Sequence, residues 1–404
     1  MRAVAPTSLR VINRGLLLNL IWRETELSRS DLARRTGLSR STVSVIVEEL
    51  LGDQLVHESH VRRSSGGRPP IVLRFLDERF FVVGVDMGAS HITAVRTDLR
   101  GAVQRRVHRR YDMQGDPEGG TEQLQLAVDD VLSNVSPEAH WVGIGLGVPC
   151  PVDLQDPNAL NTRILPKWAN TRPGEYLELA FGVPVHIDND ANLGALAEHW
   201  WGAAQDSDDF VYVKLATGVG AGLFLNGKLY RGAGGLAGEI GHTSIDSTGP
   251  KCRCGLNGCL EAMIGTGHLL RQLKEEAPEL APTTVAELLE AARRGHPGAR
   301  QVLRGAGRYV GLATANLFNL FNPTRVVLGG SLAEAGDLLL EPLRETLRER
   351  ALHTTLAEGD VVGSQLGGND VAIGAATFVL QAALQDPERF SRAKPWPGAT
   401  LHAE

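Results

Sequence analysis

The sequence contains few cysteines, few aromatic residues and no long apolar run. Four of its 404 residues are cysteine and 5% are aromatic. So few cysteines in so long a chain exclude a disulfide scaffold and favour a reducing compartment, so we expect a cytoplasmic protein. No apolar run approaches the roughly 18 residues that a membrane span needs. We interpret the apolar stretch near Leu16 as part of a folded helix rather than a signal peptide, and we expect no membrane insertion.

Lysine is missing from residues 1–76, whereas arginine is plentiful there. This segment holds 12 Arg and 7 acidic residues, a net charge of +5, while the remainder carries −11 and the whole chain −6. A basic head on an acidic body indicates that one end of the molecule meets a polyanion. The length is sufficient for two or three domains, each with its own core.

The stretch from 26 to 56 predicts two helices separated by a tight turn. We expect Ser30 to cap the first helix, Gly37 to provide the turn and Ser39 to cap the second helix. The second helix has apolar residues at i, i+4 and i+7, so one face packs inward while polar residues near its N-terminus stay exposed. A recognition helix presents such residues to the major groove, and the candidates are Arg40, Ser41, Thr42 and Ser44.

Two short β-prone runs follow and flank the basic segment RRSSGGRPP. This pattern predicts a hairpin with a basic tip, a wing, in which Arg62, Arg63 and Arg68 reach phosphates or a narrow minor groove. The alternative is a helix pair used only for packing, followed by a solvated loop. The wing, the arginines and the local charge favour DNA binding.

The body contains three glycine-rich turns, each next to a predicted strand. Asp86, Gly88 and Ser90 form a DxGxS turn, and Thr217, Gly218 and Gly220 lie between two later strands. A Gly-Gly pair at 329–330 separates a strand from a helix. Glycine permits close backbone approach to a phosphate or a sugar. A single DxGxS is equally compatible with a plain hairpin, but the three turns in this order are more specific.

Asp190 lies where a predicted strand ends and a helix begins. Catalytic groups of α/β folds often project from such a junction. A carboxylate there can accept a proton from a sugar hydroxyl that attacks a γ-phosphate. A helix cap suits the same position, and spacing does not decide between the two roles.

Five segments of the body together resemble the ROK family, which joins bacterial sugar kinases and sugar-responsive repressors. The resemblance covers roughly residues 79–385, and the head resembles the winged helix–turn–helix of the repressor branch. The CxCGxxGCxE segment is the most specific motif. The segments are Asp86-Met87-Gly88-Ala89-Ser90, Asp188-Asn189-Asp190-Ala191-Asn192, Thr217-Gly218-Val219-Gly220, Glu239-Ile240-Gly241-His242 and Cys252–Glu261.

The resemblance implies an α/β fold of the actin-like ATPase (sugar kinase, ribonuclease H-like) class, with two lobes behind a winged helix–turn–helix head. We expect the head at 1–77 and the first lobe at 78–190, completed by a C-terminal helix at about 371–390. The second lobe, with a zinc loop, is expected at 191–370, and a tail at 391–404. In the kinases of this class, the residue matching Asp86 helps to hold Mg²⁺.

The cysteine-rich segment predicts a structural zinc site. A closed zinc site needs four N or S ligands, and a Cys-x-Cys pair is too close for a relaxed disulfide. The family places Zn²⁺ on the residues that match His242, Cys252, Cys254 and Cys259, where it orders a loop that carries sugar ligands. We expect the fourth cysteine, Cys150, to be a buried core residue.

The resemblance also implies a sugar pocket. The residues that face the sugar hydroxyls in this family match Asn189, Asp190, Glu239, His242 and Glu261. His242 is able to bind zinc through one ring nitrogen and sugar through the other. The alternative for the two glutamates is that they are solvated loop residues.

The nucleotide loops depart from the kinase pattern. The family's kinases usually carry Gly-Thr-Lys where this chain has Ala89, Ser90 and His91, and Gly-Thr-Gly where it has Ala216, Thr217 and Gly218. Each added Cβ obstructs backbone approach to a phosphate. We therefore expect degenerate ATP loops and no catalytic residue, with Asp190 as the equivalent of the kinase base.

These observations predict a sugar-responsive DNA-binding transcriptional regulator, a repressor that a sugar releases from its operator. Its partners are expected to be operator DNA, a small sugar effector and further copies of itself in a dimer or tetramer. Two alternatives stay open. One is an active ATP-dependent sugar kinase with a DNA-binding head, and the other is a repressor controlled by a protein partner.

Overall fold

The N-terminal head is a helical bundle with a two-stranded hairpin. The computed structural model describes residues 6–24, 26–60, 71–280, 282–352 and 360–396. Strands β1 and β2 pair antiparallel, and Leu27 adds a bridge to Leu73 on β2. The head consists of α1 (Pro6–Arg23), α2 (Arg29–Thr36), α3 (Arg40–Gly52), β1 (Val56–His60) and β2 (Ile71–Phe75).

The predicted cap of the first recognition-motif helix is wrong by two residues. Ser28, not Ser30, is the N-cap of α2, because its side chain accepts from the Asp31 amide while the Asp31 carboxylate accepts from the Ser28 amide at 3.1 Å. This reciprocal capping box satisfies two otherwise unpaired donors. The turn at Gly37, with φ of +71°, and the Ser39 cap of α3 are confirmed.

A mixed sheet forms the core of the first half of the body. Its strand order is β13-β6-β3-β4-β5, and β7 also pairs with β6. Helices α4 and α5 cover one face. The elements are β3 (Phe80–Met87), β4 (His91–Thr97), β5 (Val103–Arg110), α4 (Pro117–Leu132), β6 (His140–Val148), α5 (Pro173–Phe181), β7 (Val185–Asn189) and β13 (Lys394–Pro395).

A second mixed sheet has the order β10-β9-β8-β11-β12, and one of its faces is covered by the long α10 and four helices that pack on it. Its strands are β8 (Phe210–Leu215), β9 (Val219–Leu225), β10 (Lys228–Tyr230), β11 (Arg325–Gly329) and β12 (Val361–Gly363). The helices are α7 (Leu260–Ile264), α8 (Thr266–Glu276), α9 (Val285–Arg293), α10 (Pro297–Phe321) and α11 (Asp337–Arg350). None of the helices in the described ranges is long and apolar enough to cross a membrane.

Two helices lie between the sheets. The helix α6 (Asp190–Trp201) packs on β8 and β9, whereas α12 (Asp370–Gln385) packs on β3 and β6, and the two helices pack on each other. Glycines permit this close contact: a Cβ at Gly84 or Gly145 would collide with the α12 backbone. The predicted two-lobed α/β fold behind a winged helix–turn–helix head is therefore confirmed.

The head is docked on the body through α1. Gly15 lies against the carbonyl of Gln385 at the end of α12. The Trp22 indole donates to the Leu99 carbonyl at 3.0 Å, and the Arg100 guanidinium lies 5.0 Å from the centre of its ring. A short helix, α13 (Glu388–Arg392), adds Phe390 to the shared apolar core. Head and body thus share one continuous buried cluster.

Candidate functional site

One cleft of the body is lined by most of the predicted sugar and nucleotide residues. It opens where β3, β6 and β8 end, and it contains all five residues that the family resemblance assigns to sugar, together with residues of the first two glycine turns. Its lining includes Gly88, Ala89, His91, Gln114, Cys150, Ile164, Asn189, Asp190, Lys214, Thr217, Gly218, Gly220, Glu239, His242, Arg253 and Glu261.

The sequence left open whether Asp190 is a helix cap or a site residue. In the structure the neighbouring Asn189 takes the role of the cap. Asn189 is the N-cap of α6, because its side-chain oxygen accepts from the amides of Ala191 and Asn192. Its Nδ2 donates to the Cys150 carbonyl at 3.2 Å and to Asp190 Oδ1 at 3.1 Å. The Asn189 amide is therefore fully engaged within the protein. Asp190 is the first helical residue, and its carboxylate points into the cleft.

Lys214 is a cleft residue that the sequence reasoning missed. Its ammonium donates to Asp190 Oδ2 at 2.8 Å and lies 4.0 Å from Asp86 Oδ1. The side chain is 10% exposed. A lysine inside the apolar strand FVYVKL was a visible signal, since lysine is almost never buried without a partner.

The two cleft glutamates have different surroundings. Burial, together with the charges of Asp190 and Glu261, raises the pKa of Glu239 to about 7. Glu261 is 9% exposed, and both of its oxygens accept from Arg253, at 2.7 and 2.9 Å. The Val219 amide also donates to Glu261 at 3.2 Å. Glu239 therefore faces the cleft without a hydrogen-bond donor of its own among the described residues, whereas Glu261 is held by Arg253.

The predicted metal ligands form a tight cluster. The ligand atoms of His242, Cys252, Cys254 and Cys259 all lie within 4.8 Å of one another. The sulfurs of Cys254 and Cys259 are 3.6 Å apart, and Cys252 Sγ is 3.6 Å from His242 Nδ1. A disulfide requires about 2.05 Å. A tetrahedral ion with bonds of about 2.3 Å to sulfur places its ligands roughly 3.8 Å apart, so the cluster fits a metal ion.

The loop backbone holds this cluster in shape. Gly255 has φ of +97° and Gly258 has φ of +59°, a region that other residues rarely adopt. The Cys252 amide donates to the Leu256 carbonyl at 2.7 Å, which closes a turn that contains Cys252 and Cys254. His242 turns its other nitrogen, Nε2, toward Glu239 at 3.9 Å. One imidazole therefore joins the metal cluster to the cleft.

Side chains of the protein itself cover the first two of the three glycine turns. The His91 ring lies over Gly88, where a Cβ would collide with it, and His91 Nε2 is 3.0 Å from Asp86 Oδ2. Glu261 and Arg253 lie over Gly218 in the second turn. Ser90, the third residue of the DxGxS turn, is exposed and is not part of the cleft lining.

The helix α3, which the sequence predicts to be the recognition helix, exposes several polar side chains near its N-terminus. Arg40 and Ser41 are exposed, Thr42 and Ser44 are half-buried, and Val45, which sequence reasoning missed, is 58% exposed. An exposed valine on such a helix suits contact with a thymine methyl group. The wing candidates Arg62, Arg63 and Arg68 lie outside the described residues.

Comparison with known proteins decides the family. The ROK family profile matches residues 82–382, three quarters of the chain. The chain belongs to the ROK family. A winged helix–turn–helix DNA-binding profile matches residues 12–56, the head of this ROK protein.

Regulators and kinases both occur among the similar ROK proteins. The xylose repressor of Bacillus subtilis is 32% identical over 375 residues, which cover 93% of this chain and 96% of the repressor. The crystal structure of a ROK family transcriptional regulator, a homologue of the E. coli MLC protein, has a TM-score of 0.78 at 27% identity and covers 95% of this chain and 99% of its own. A ROK glucokinase from Streptomyces griseus, in complex with glucose and AMPPNP, has a TM-score of 0.66 at 28% identity over 74% of this chain and 98% of its own.

Proposed function

We propose that this ROK protein is a sugar-responsive DNA-binding transcriptional regulator, a repressor that a sugar releases from its operator. The observation that carries the proposal is the path of α12. Its first residue, Asp370, is buried close enough to Lys214 at the floor of the cleft for their charges to interact, and its last residues support α1 of the head. A ligand that changes the packing of α12 would thereby act on the DNA-binding head.

The state of the cleft supports a sensor rather than a kinase. The sugar half offers Asp190, Glu239 and His242 to hydroxyl groups, in the positions that the family uses for sugar. The nucleotide half is covered by His91 over Gly88 and by Arg253 over Gly218. Phosphoryl transfer depends on backbone and metal contacts to the phosphates, so covered loops favour binding without chemistry.

The metal cluster supports a structural role for zinc. His242, Cys252, Cys254 and Cys259 provide a closed set of four ligands with no open position, as structural zinc sites do. Zinc there would fix the His242 ring and thereby the sugar-facing nitrogen. We further propose that the protein acts in the cytoplasm and binds palindromic operators as a homo-oligomer, because two-fold symmetry matches paired half-sites.

A gel shift tests the proposed function. The protein is titrated on promoter DNA from upstream of its own gene, with a panel of free and phosphorylated sugars that includes D-xylose, the sugar in the name of the Bacillus relative. Specific binding that one sugar releases supports the proposal and identifies the effector. Specific binding that no sugar releases favours control by a protein partner. An absence of specific binding together with ATP-dependent sugar phosphorylation would establish the kinase alternative.

Two variants separate the DNA and sugar functions. Glu239→Ala is expected to keep operator binding but lose release, and the exposed loop variant Glu138→Ala serves as its control. Arg40→Ala is expected to weaken operator binding by about 1–3 kcal/mol without a change in sugar affinity, and Arg304→Ala, on the exposed side of α10, is its control. Normal release by Glu239→Ala would remove that residue from the pocket.

A further inference from the structure

The floor of the cleft contains one buried cation among three carboxylates from different elements. Asp86 is the penultimate residue of β3, Asp190 is the first residue of α6 and Asp370 is the first residue of α12. All three are at most 9% exposed, and Lys214 on β8 is 8% exposed. Buried carboxylates that share a low-dielectric site repel one another and need a cation to stay ionised.

The charges of this group depend on one another. Burial alone would raise the pKa of Asp86, but the Lys214 ammonium, followed by His91, lowers it to about 2. Burial raises the pKa of Asp370 despite its hydrogen bond from the Tyr212 hydroxyl and the nearby Lys214 charge. Lys214 in turn keeps its proton, because Asp190 and Asp86 raise its pKa against the effect of burial.

One acceptor in this group has no hydrogen bond. Asp86 Oδ1 is buried and lacks a hydrogen-bond partner among the described residues, and it faces the Lys214 ammonium across 4.0 Å. A buried carboxylate oxygen without a donor costs free energy. Magnesium characteristically binds through one or two carboxylates and completes its shell with water. Asp86 and Asp190 both lie within 4.0 Å of one point, and that point is occupied by the ammonium.

We propose that Lys214 is a tethered cation that takes the place of a divalent metal ion between Asp86 and Asp190 and keeps this site free of magnesium. The ammonium offsets negative charge at this site without a metal ion, and it donates a hydrogen bond to Asp190 Oδ2 at 2.8 Å. The cleft therefore selects a ligand that arrives without a metal ion. This inference concerns the cleft alone and does not depend on DNA binding or on a sugar effector.

Binding of Mn²⁺ to the zinc-saturated full-length protein, measured by electron paramagnetic resonance, tests the proposal. Lys214→Gln removes the charge but keeps a hydrogen-bond donor, and it is expected to bind Mn²⁺ at least about tenfold more tightly than the unmodified protein. Lys214→Arg keeps a cation and is the matched control, for which no gain is expected. The double variant Lys214→Gln/Asp86→Asn should lose the gain, whereas Mn²⁺ at the cysteine cluster would be unaffected by the change at Asp86.

Thermal denaturation provides a second readout. Mg²⁺ should raise the melting temperature of Lys214→Gln and leave that of the unmodified protein unchanged, with NaCl at equal ionic strength as the control. If Lys214→Gln folds only when Mg²⁺ is supplied, this result also supports the proposal. Equal Mn²⁺ affinity of Lys214→Gln and the unmodified protein, or a Lys214→Gln variant that Mg²⁺ neither stabilises nor restores, would overturn it.

Discussion

Replacement of Gly15 by alanine should weaken the docking of the head on the body. A Cβ on Gly15 would lie 2.6 Å from the Gln385 carbonyl oxygen and 3.2 Å from that of Leu384. Both contacts are to backbone, so neither helix can relieve them by a rotamer change. Alanine in a helix is favoured by about 1 kcal/mol over glycine, whereas over-packing costs about 1–3 kcal/mol. The expected net effect is a loss of up to about 2 kcal/mol.

Gly305→Ala is the matched control for this effect. Gly305 lies in the middle of α10, and its Cβ would meet no atom within 4 Å. It should therefore show only the helix-propensity gain of about 1 kcal/mol. Thermal denaturation of both variants measures the difference, and amide hydrogen exchange at Leu17 and Leu18 localises it to α1. A Gly15→Ala variant that is stabilised as much as Gly305→Ala, with unchanged exchange in α1, would refute the docking argument.

Three further predictions concern the body. The variant Cys259→Ser should contain less zinc by mass spectrometry and should melt at a lower temperature. The variant Cys150→Ser, which lies outside the cluster, should keep its zinc. Burial, aided by the charge of Arg389, lowers the pKa of His186 to about 4, so the free energy of unfolding should fall as the pH drops from about 6.5 toward 4. The variant His186→Gln should lose less stability than the unmodified protein between pH 7.5 and 5.0. An equal loss in both proteins would contradict this prediction. Arg253→Ala frees Glu261 and should tighten sugar binding about fivefold in calorimetry, whereas weaker binding would make Arg253 itself a sugar contact.

The sequence predicts features that depend on neighbouring residues better than those that depend on distant ones. The glycine turns, the Ser39 cap and the cysteine cluster are short local patterns, and the structure places them in the expected elements. The predicted cap of α2 is wrong because Ser28 and Ser30 both precede an apolar run, so both are candidates for the cap. Only the reciprocal bonds between Ser28 and Asp31 distinguish them.

The charged group at the floor of the cleft could not be predicted from short sequence patterns. Lys214 on β8 meets Asp86 on β3 and Asp190 on α6, and only the packing of the two sheets around α6 and α12 brings these residues together. His91 follows a turn whose glycines suggest open backbone, yet its ring closes that space. Sequence patterns identify which residues line the cleft, but the charge of one residue depends on partners that are remote in the chain.

The position of α12 also has a consequence for biosynthesis. This helix fills the space between the two sheets and supports α1, but it is translated after every strand of both sheets except β13. Domains form from the N-terminus onward as the chain is made. The inner face of the first sheet and the apolar side of α1 are therefore covered only by a segment that is made near the end of synthesis. A ribosome that stalls before residue 370 would leave a nascent chain with a folded DNA-binding motif and an uncovered core, a species that we expect to recruit chaperones.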